Sequence, residues 1–167
     1  MKRAIFSGIL AVLFTAGMMA QAKPDFSGTW TLDPDKSVMG GGGGRPGGGG
    51  GGRQGGMGGG PLTITVAGQK MSISRTMGQS GNTQTTVYML DGSASKNTTP
   101  GRQGGEPTEV TYTSKWNGAK LVTTITNPMR TSTETRWIDA DGTMVVETTG
   151  PGREGTPMTS KLVYKKG

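Results

Sequence analysis

The chain has 167 residues, of which 32 are glycine, and it carries a formal charge of +7 with no cysteine and no histidine. Without those two residue types it can build neither Cys–His nor Ser–His–Asp nucleophilic systems, and no zinc or copper site on thiolate and imidazole ligands. The remaining possibilities are carboxylate catalysis, calcium or magnesium held by oxygen ligands, or binding without catalysis.

The N-terminal 22 residues have the pattern of a cleaved export signal. Lys2 and Arg3 form a basic start, residues 4–19 are apolar and uncharged, and Ala20-Gln21-Ala22 is a small-x-small cleavage site. We expect export to the periplasm or the extracellular space, cleavage after Ala22, and a mature single domain of residues 23–167 with no transmembrane segment. A retained N-terminal anchor is the alternative. Loss of Lys2 and Arg3 lowers the formal charge from +7 to +5.

A glycine-rich tract covers residues 39–61, in which 16 of 23 residues are glycine. It contains the GxGxxG pattern, but the strand-like residues 62–66 follow it where a dinucleotide-binding fold needs a helix. Arg45 and Arg53 resemble the arginines of RNA-binding glycine-rich arms, which normally add aromatic side chains for base stacking, and the tract has none. Polyglycine loses much entropy on ordering and buries little surface, so we expect a disordered loop and no nucleic-acid partner.

Short alternating patterns with abundant threonine fill the rest of the chain and indicate an all-β fold. The candidate strands are 26–32, 62–67, 70–76, 83–90, 93–98, 108–116, 119–126, 131–138, 143–149 and 157–166.

The connections between these strands alternate between tight and long. Residues 67–69, Asp91-Gly92, Asn117-Gly118 and 139–142 are tight hairpin signals. Long glycine- or proline-rich connections cover residues 38–61, 77–82, 99–107, 127–130 and 150–156. Successive connections of an up-and-down meander lie at opposite ends, so the alternation predicts an antiparallel up-and-down β-barrel of about 8–10 strands with all long loops at one rim.

Arginines recur in the long connections. Arg45, Arg53, Arg102, Arg130 and Arg153 would share that rim, and Arg75 would lie just below it. One interpretation is an electropositive mouth that attracts anionic ligands. The other is that these arginines only keep exposed glycine loops soluble.

Alternation along the strands assigns the interior. It directs Tyr112, Thr123 and Thr148 inward, and in residues 131–138 it favours Thr131, Thr133, Thr135 and Trp137 over Arg136. Strand 83–90 is ambiguous, since Val87 and Met89 compete with Tyr88 and Leu90. Trp116 and Trp137 precede tight turns and would form a packed floor, below a polar chamber unsuited to fatty acids. A packed barrel without a ligand is the alternative.

Residues 25–37, DFSGTWTLDPDKS, carry a family resemblance. Gly28-Thr29-Trp30 resembles the G-x-W signature on the first strand of lipocalins and the wider calycin superfamily. The stretch is also similar to the start of a group of small secreted bacterial proteins, whose later portions resemble residues 115–122, 135–147 and 160–166. The glycine tract departs from that group.

The resemblance implies a lipocalin-like barrel whose first loop lies at the open mouth. Trp30, with Phe26 and Gly28, would lie at the closed end. Lipocalins stack a late basic side chain across this tryptophan, and Arg136 is the candidate here, although alternation directs it outward.

These observations predict a non-catalytic, extracytoplasmic binding protein for a small amphiphilic or anionic molecule, without cofactor or metal. The alternative is a structural or envelope-interaction protein. An enzyme is disfavoured because the carboxylates are scattered over turns and outward positions. The candidate ligand-binding residues are Arg75, Arg102, Arg130, Arg153, Tyr112, Thr123, Thr133 and Thr148; the candidate floor residues are Phe26, Gly28, Trp30, Trp116 and Trp137.

Overall fold

The computed structural model describes residues 22–38, 60–77, 81–100, 105–152 and 155–167. The predicted signal peptide up to residue 21 and nearly all of the glycine-rich tract lie outside the described residues. The same holds for four of the predicted rim arginines: Arg45, Arg53, Arg102 and Arg153.

All ten predicted strands are present, with small shifts at their ends. They are β1 (Gly28–Leu32), β2 (Leu62–Ala67), β3 (Lys70–Met77), β4 (Asn82–Met89), β5 (Ala94–Thr99), β6 (Thr108–Asn117), β7 (Lys120–Asn127), β8 (Arg130–Ile138), β9 (Met144–Pro151) and β10 (Pro157–Lys166).

The strands form one antiparallel sheet in the order β4-β3-β2-β1-β10-β9-β8-β7-β6-β5. The sheet follows the chain, with one additional pairing between β1 and β10 that joins the two halves. The predicted up-and-down barrel is therefore confirmed. Because consecutive strands are antiparallel, the tight turns lie at one end, which we call the floor, and the long connections at the other, which we call the mouth.

The barrel wall has one seam, between β4 and β5, where no backbone ladder forms. The Asn97 side chain spans it: Oδ1 accepts a hydrogen bond from the Val87 N–H at 2.7 Å, and Nδ2 donates to the Val87 carbonyl at 2.8 Å. The Ser95 hydroxyl donates to the same carbonyl at 2.6 Å. One side-chain amide thus replaces a pair of backbone hydrogen bonds and nearly closes the barrel.

The floor is packed around Trp30, which is 1% exposed. Its indole N–H donates to the Phe26 carbonyl at 2.8 Å, and the Phe26 ring stacks on Trp116 with centroids 5.9 Å apart. The structure thus places Phe26, Trp30 and Trp116 together at the closed end. Lys166, not Arg136, holds the basic position over Trp30, with Nζ 5.5 Å from the ring centroid.

Gly28 begins β1 beside the same lysine. Its φ of 126° lies in the region that favours glycine, and a Cβ there would come within 2.9 Å of the Lys166 Cε. This close approach lets the lysine reach across the floor.

The predicted inward face of β8 is wrong. Ser132, Glu134 and Arg136 line the interior, so Thr133 and Trp137 lie on the outer wall. Trp137 instead pairs with Val145 in the β8–β9 register and lies under the Lys120 Nζ, 4.3 Å from the ring centroid. The physical reason is that Glu134 and Arg136 neutralise each other, which allows two charged side chains to occupy inward positions.

The chain after β1 remains attached to the outside of β10. The Asp33 N–H donates to the Val163 carbonyl at 2.8 Å, and Val38 forms a bridge with Lys161. Asp33 is 4% exposed and its Oδ2 lies 2.9 Å from the Lys165 Nζ. Hydrogen bonding to this lysine lowers the pKa of the Asp33 carboxyl.

Candidate ligand-binding site

A cavity of about 940 Å³ occupies the barrel between the floor and the mouth. Inward side chains of nine strands line it, together with residues of the β5–β6 and β7–β8 connections. The aliphatic lining comes from Leu62, Ile73, Val110, Ile125, Val146 and Leu162, with Pro100, Pro128 and Met129 at the mouth. The polar lining comes from Arg75, Gln84, Thr86, Tyr88, Thr99, Thr108, Tyr112, Asn127, Arg130, Ser132, Glu134, Arg136, Thr148 and Tyr164.

Arg136 is the most deeply buried charge of this lining, at 4% exposed. Its Nη2 donates to the Glu134 Oε1 at 2.7 Å, and its guanidinium carbon lies 5.3 Å from the centroid of the Tyr88 ring. Its Nε and Nη1 have no hydrogen-bond partner among the described residues. Buried donors are normally paired, so this guanidinium, which lines the cavity, has unused hydrogen-bonding capacity.

Arg136 remains positively charged despite its burial. Burial alone would lower its pKa, but the Glu134 carboxylate and the neighbouring Tyr88 and Tyr164 outweigh it, so its pKa lies above the usual value. Arg136 is therefore a fixed cation deep in the barrel.

Tyr88 and Tyr164 act electrostatically on this charge, and a third tyrosine, Tyr112, packs against Tyr88. Tyr88 and Tyr112 meet edge to face, with ring centroids 5.1 Å apart and an interplanar angle of 71°. Burial raises the pKa of Tyr88, of Tyr112 and of Tyr164 above that of a free phenol. All three therefore stay protonated at neutral pH, and their hydroxyls can donate hydrogen bonds to a ligand.

Arg75 supplies a second interior cation from the opposite wall. It lies on β3, opposite Leu62 of β2 and Gln84 of β4, and its Nε has no partner among the described residues. Both Arg75 and Arg136 act electrostatically on Tyr164. Among the described lining residues, three arginines, Arg75, Arg130 and Arg136, thus accompany a single carboxylate, Glu134.

The structure gathers four of the eight predicted binding residues around the cavity: Arg75, Arg130, Tyr112 and Thr148. Thr123 points inward as predicted but lies below the chamber, 1% exposed and bonded through Oγ1 to the Ser114 hydroxyl at 2.9 Å. Thr133 is exposed on the outer wall, so its predicted inward position is wrong. Arg102 and Arg153 lie outside the described residues.

Sequence reasoning missed Glu134 and Arg136 as site residues. The available signal was Ser132-x-Glu134-x-Arg136-x-Ile138, an alternation in which opposite charges two residues apart share one strand face. Taken one residue at a time, however, Trp137 favours an inward position and the two charges favour solvent, which predicts the opposite face.

Within the described ranges, no group of three or more carboxylates is placed to hold a metal ion. The same portion of the chain contains no helix that is both long and apolar enough to cross a membrane.

Comparison with known proteins identifies the architecture. No protein-family model and no curated protein sequence matches the chain. Among solved structures, it is similar to a secretary abundant heat soluble (SAHS) protein from Ramazzottius varieornatus, with a TM-score of 0.53 and 16% identity over 89% of this chain and 99% of that one. It is also similar to the zebrafish ileal bile acid-binding protein complexed with cholic acid, with a TM-score of 0.48 and 21% identity over 64% of this chain and 72% of that one.

At 16% identity the likeness to the SAHS protein concerns the fold alone, and it agrees with the ten-strand antiparallel meander described above. The chain is a ten-stranded antiparallel up-and-down β-barrel, and its fold is similar to that of the SAHS protein.

Proposed function

We propose that this chain is a non-enzymatic, extracytoplasmic binding protein that holds a small amphiphilic anion inside its barrel. The observation that carries the proposal is Arg136, which is 4% exposed, lines a cavity of about 940 Å³ and has two nitrogens without a hydrogen-bond partner among the described residues. An unpaired buried donor is unfavourable by about 1–3 kcal/mol. A carboxylate or sulfate head group would supply the missing acceptors through charge-assisted hydrogen bonds.

The rest of the lining fits a ligand that is only partly apolar. Aliphatic side chains such as Leu62 and Val146 alternate with hydroxyl and amide groups such as Thr86, Gln84 and Thr148. A plain hydrocarbon would leave those polar groups without partners. We therefore favour an amphiphile with an anionic head group and further hydroxyl or carbonyl groups along an apolar frame.

The location outside the cytoplasm rests on the sequence of residues 1–22. N-terminal sequencing of the protein purified from its native envelope tests it, with Lys23 as the expected first residue. A chain that retains Met1 and stays with the cytoplasmic fraction would contradict it.

The two other hypotheses receive less support. An envelope protein with a packed barrel does not need a cavity of this size. A hydrolase of the two-carboxylate kind would need a second acidic side chain in the cavity. Glu134 is the single carboxylate in the described lining, and it forms an ion pair with Arg136.

Calorimetric titration with decanoate and with 1-decanol tests the proposal. We expect the wild-type protein to bind decanoate at least about tenfold more tightly than the alcohol. Arg136→Gln should lower the affinity for decanoate by about 10–100-fold, because loss of one partner of a buried charge pair with the ligand costs a few kcal/mol of binding free energy. Binding of the alcohol, which has no charge, should be unchanged. The control, Lys161→Gln, removes the same charge from the exposed outer wall and should bind like wild type.

Arg136→Gln leaves Glu134 buried without its partner, so the double variant E134Q/R136Q, which removes both members of the ion pair, repeats the measurement without an unpaired carboxylate. Equal affinity of the wild type for acid and alcohol would overturn the proposal. So would undiminished decanoate binding by the folded double variant.

A further inference from the structure

The charges inside the barrel do not cancel. Among the described lining residues below the mouth, Arg75 and Arg136 contribute two positive charges and Glu134 contributes one negative charge; the third lining arginine, Arg130, is exposed to solvent at the mouth. The Glu134 side chain is 13% exposed and that of Arg136 5%, so water screens this pair poorly. The interior therefore lacks one negative charge for neutrality.

We propose that Glu134 makes the site selective for ligands with a single negative charge. The inference rests on the proposed binding of an amphiphilic anion and specifies its class: a monoanion such as a carboxylate, sulfonate or sulfate monoester, and not a dianion such as a phosphate monoester. One bound negative charge brings the interior to neutrality, whereas two leave an excess that a poorly solvated cavity does not tolerate.

Glu134 also positions the cation that receives the head group. Its Oε1 engages the Arg136 Nη2 at 2.7 Å, and the Arg136 Nε and Nη1 have no partner among the described residues. A head group that approaches Arg136 therefore comes close to the Glu134 carboxylate and is repelled by it. The repulsion by Glu134 and the attraction by the two arginines are both proportional to the charge of the ligand, whereas its desolvation cost rises with the square of that charge. Glu134 therefore offsets part of the attraction that a dianion needs to balance its larger desolvation cost.

Decyl sulfate and decyl phosphate separate the two classes, because they share a chain and differ in head-group charge. At pH 8 the phosphate is mostly dianionic, since its second pKa lies near 6. The wild-type protein should bind decyl sulfate more tightly than decyl phosphate. In Glu134→Gln, which keeps a hydrogen-bond acceptor for Arg136, we expect affinity for the sulfate to rise about tenfold and that for the phosphate about a hundredfold.

Two further variants complete the design. Glu134→Asp keeps the charge and should keep the preference for the sulfate. Glu109→Gln removes the same charge from an exposed position on the outer wall, where the side chain is 59% exposed, and should change neither affinity. Tryptophan fluorescence and thermal melting verify that each variant is folded.

The outcomes separate this inference from the proposed function. Tighter wild-type binding of the phosphate than of the sulfate overturns the inference without any variant, and so does an equal effect of Glu134→Gln on both ligands. Either result leaves the proposed function intact provided that both anions bind more tightly than 1-decanol. If neither anion binds more tightly than the alcohol, the proposed function fails and the inference fails with it.

Discussion

The seam between β4 and β5 gives a quantitative prediction, because one side chain, Asn97, supplies the hydrogen bonds that a backbone ladder supplies elsewhere. Replacement of Asn97 by alanine removes two hydrogen bonds to Val87, at 2.7 and 2.8 Å. The Val87 carbonyl still accepts a hydrogen bond from the Ser95 hydroxyl at 2.6 Å, whereas the Val87 N–H loses its acceptor, the Asn97 Oδ1. Each net hydrogen bond contributes about 0.5–1.5 kcal/mol, so we expect a loss of about 2 kcal/mol in the free energy of unfolding.

Equilibrium denaturation in urea measures this loss. Thr98→Ala is the matched control, since Thr98 is the next residue on β5 and is exposed on the outer wall. Its replacement should lower the free energy of unfolding by no more than about 0.5 kcal/mol. Hydrogen exchange should report faster local opening at the Val87 amide in Asn97→Ala. The account of the seam is refuted if the free energies of unfolding of the two variants agree within about 0.5 kcal/mol, or if hydrogen exchange at the Val87 amide is unchanged in Asn97→Ala.

Three further outcomes follow from the floor and its surroundings. Gly28→Ala should lower the free energy of unfolding by about 1–3 kcal/mol in urea, because φ is 126° and the new methyl would meet Lys166; a neutral effect would contradict this. Thr123→Val should lower the free energy of unfolding by about 1–3 kcal/mol, because it leaves the buried Ser114 hydroxyl without its partner. The double variant S114A/T123V should recover part of that lost stability. Asp33 has a lowered pKa, so its contribution is complete above its unfolded pKa of about 3.9 and is lost as the pH falls through the folded value. The stability difference between wild type and Asp33→Asn should therefore shrink in acid titrations below about pH 4, and a difference that grows would refute this assignment.

The order of the strands could be predicted because the turn signals are local. Asp91-Gly92 and Asn117-Gly118 identify tight connections from two adjacent residues, and alternation of tight and long connections leaves few topologies open. The same reasoning placed Tyr112 and Thr148 toward the interior correctly. These positions depend on strand parity, which the flanking turns fix.

The inward face of β8 could not be predicted in this way. Single-strand alternation treats Glu134 and Arg136 as two separate charges, each unfavourable in an interior. Their direct ion pair reverses the preference and leaves Trp137 on the outer wall beside Val145. The choice depends on packing between strands, which no single strand records.

The seam and the cavity are also products of long-range geometry. Asn97 and Val87 become partners because β4 and β5 separate after their tight turn, an event that neither strand's pattern records. The space around Arg136 likewise reflects the diameter of the ten-strand wall and not the properties of one segment. Sequence reasoning therefore predicted a polar chamber with Arg75 just below its rim, but it directed Arg136 outward.

The central claim is that the head group of the ligand lies deep in the barrel at Arg136, with the tail toward the mouth. A crystal structure of the complex with 10-bromodecanoate tests it most directly, because the anomalous signal of bromine locates the tail independently of the carboxylate. The account predicts a carboxylate oxygen within about 3 Å of the Arg136 guanidinium and bromine near Met129. Bromine at the floor, with the carboxylate beside Arg130, would contradict it.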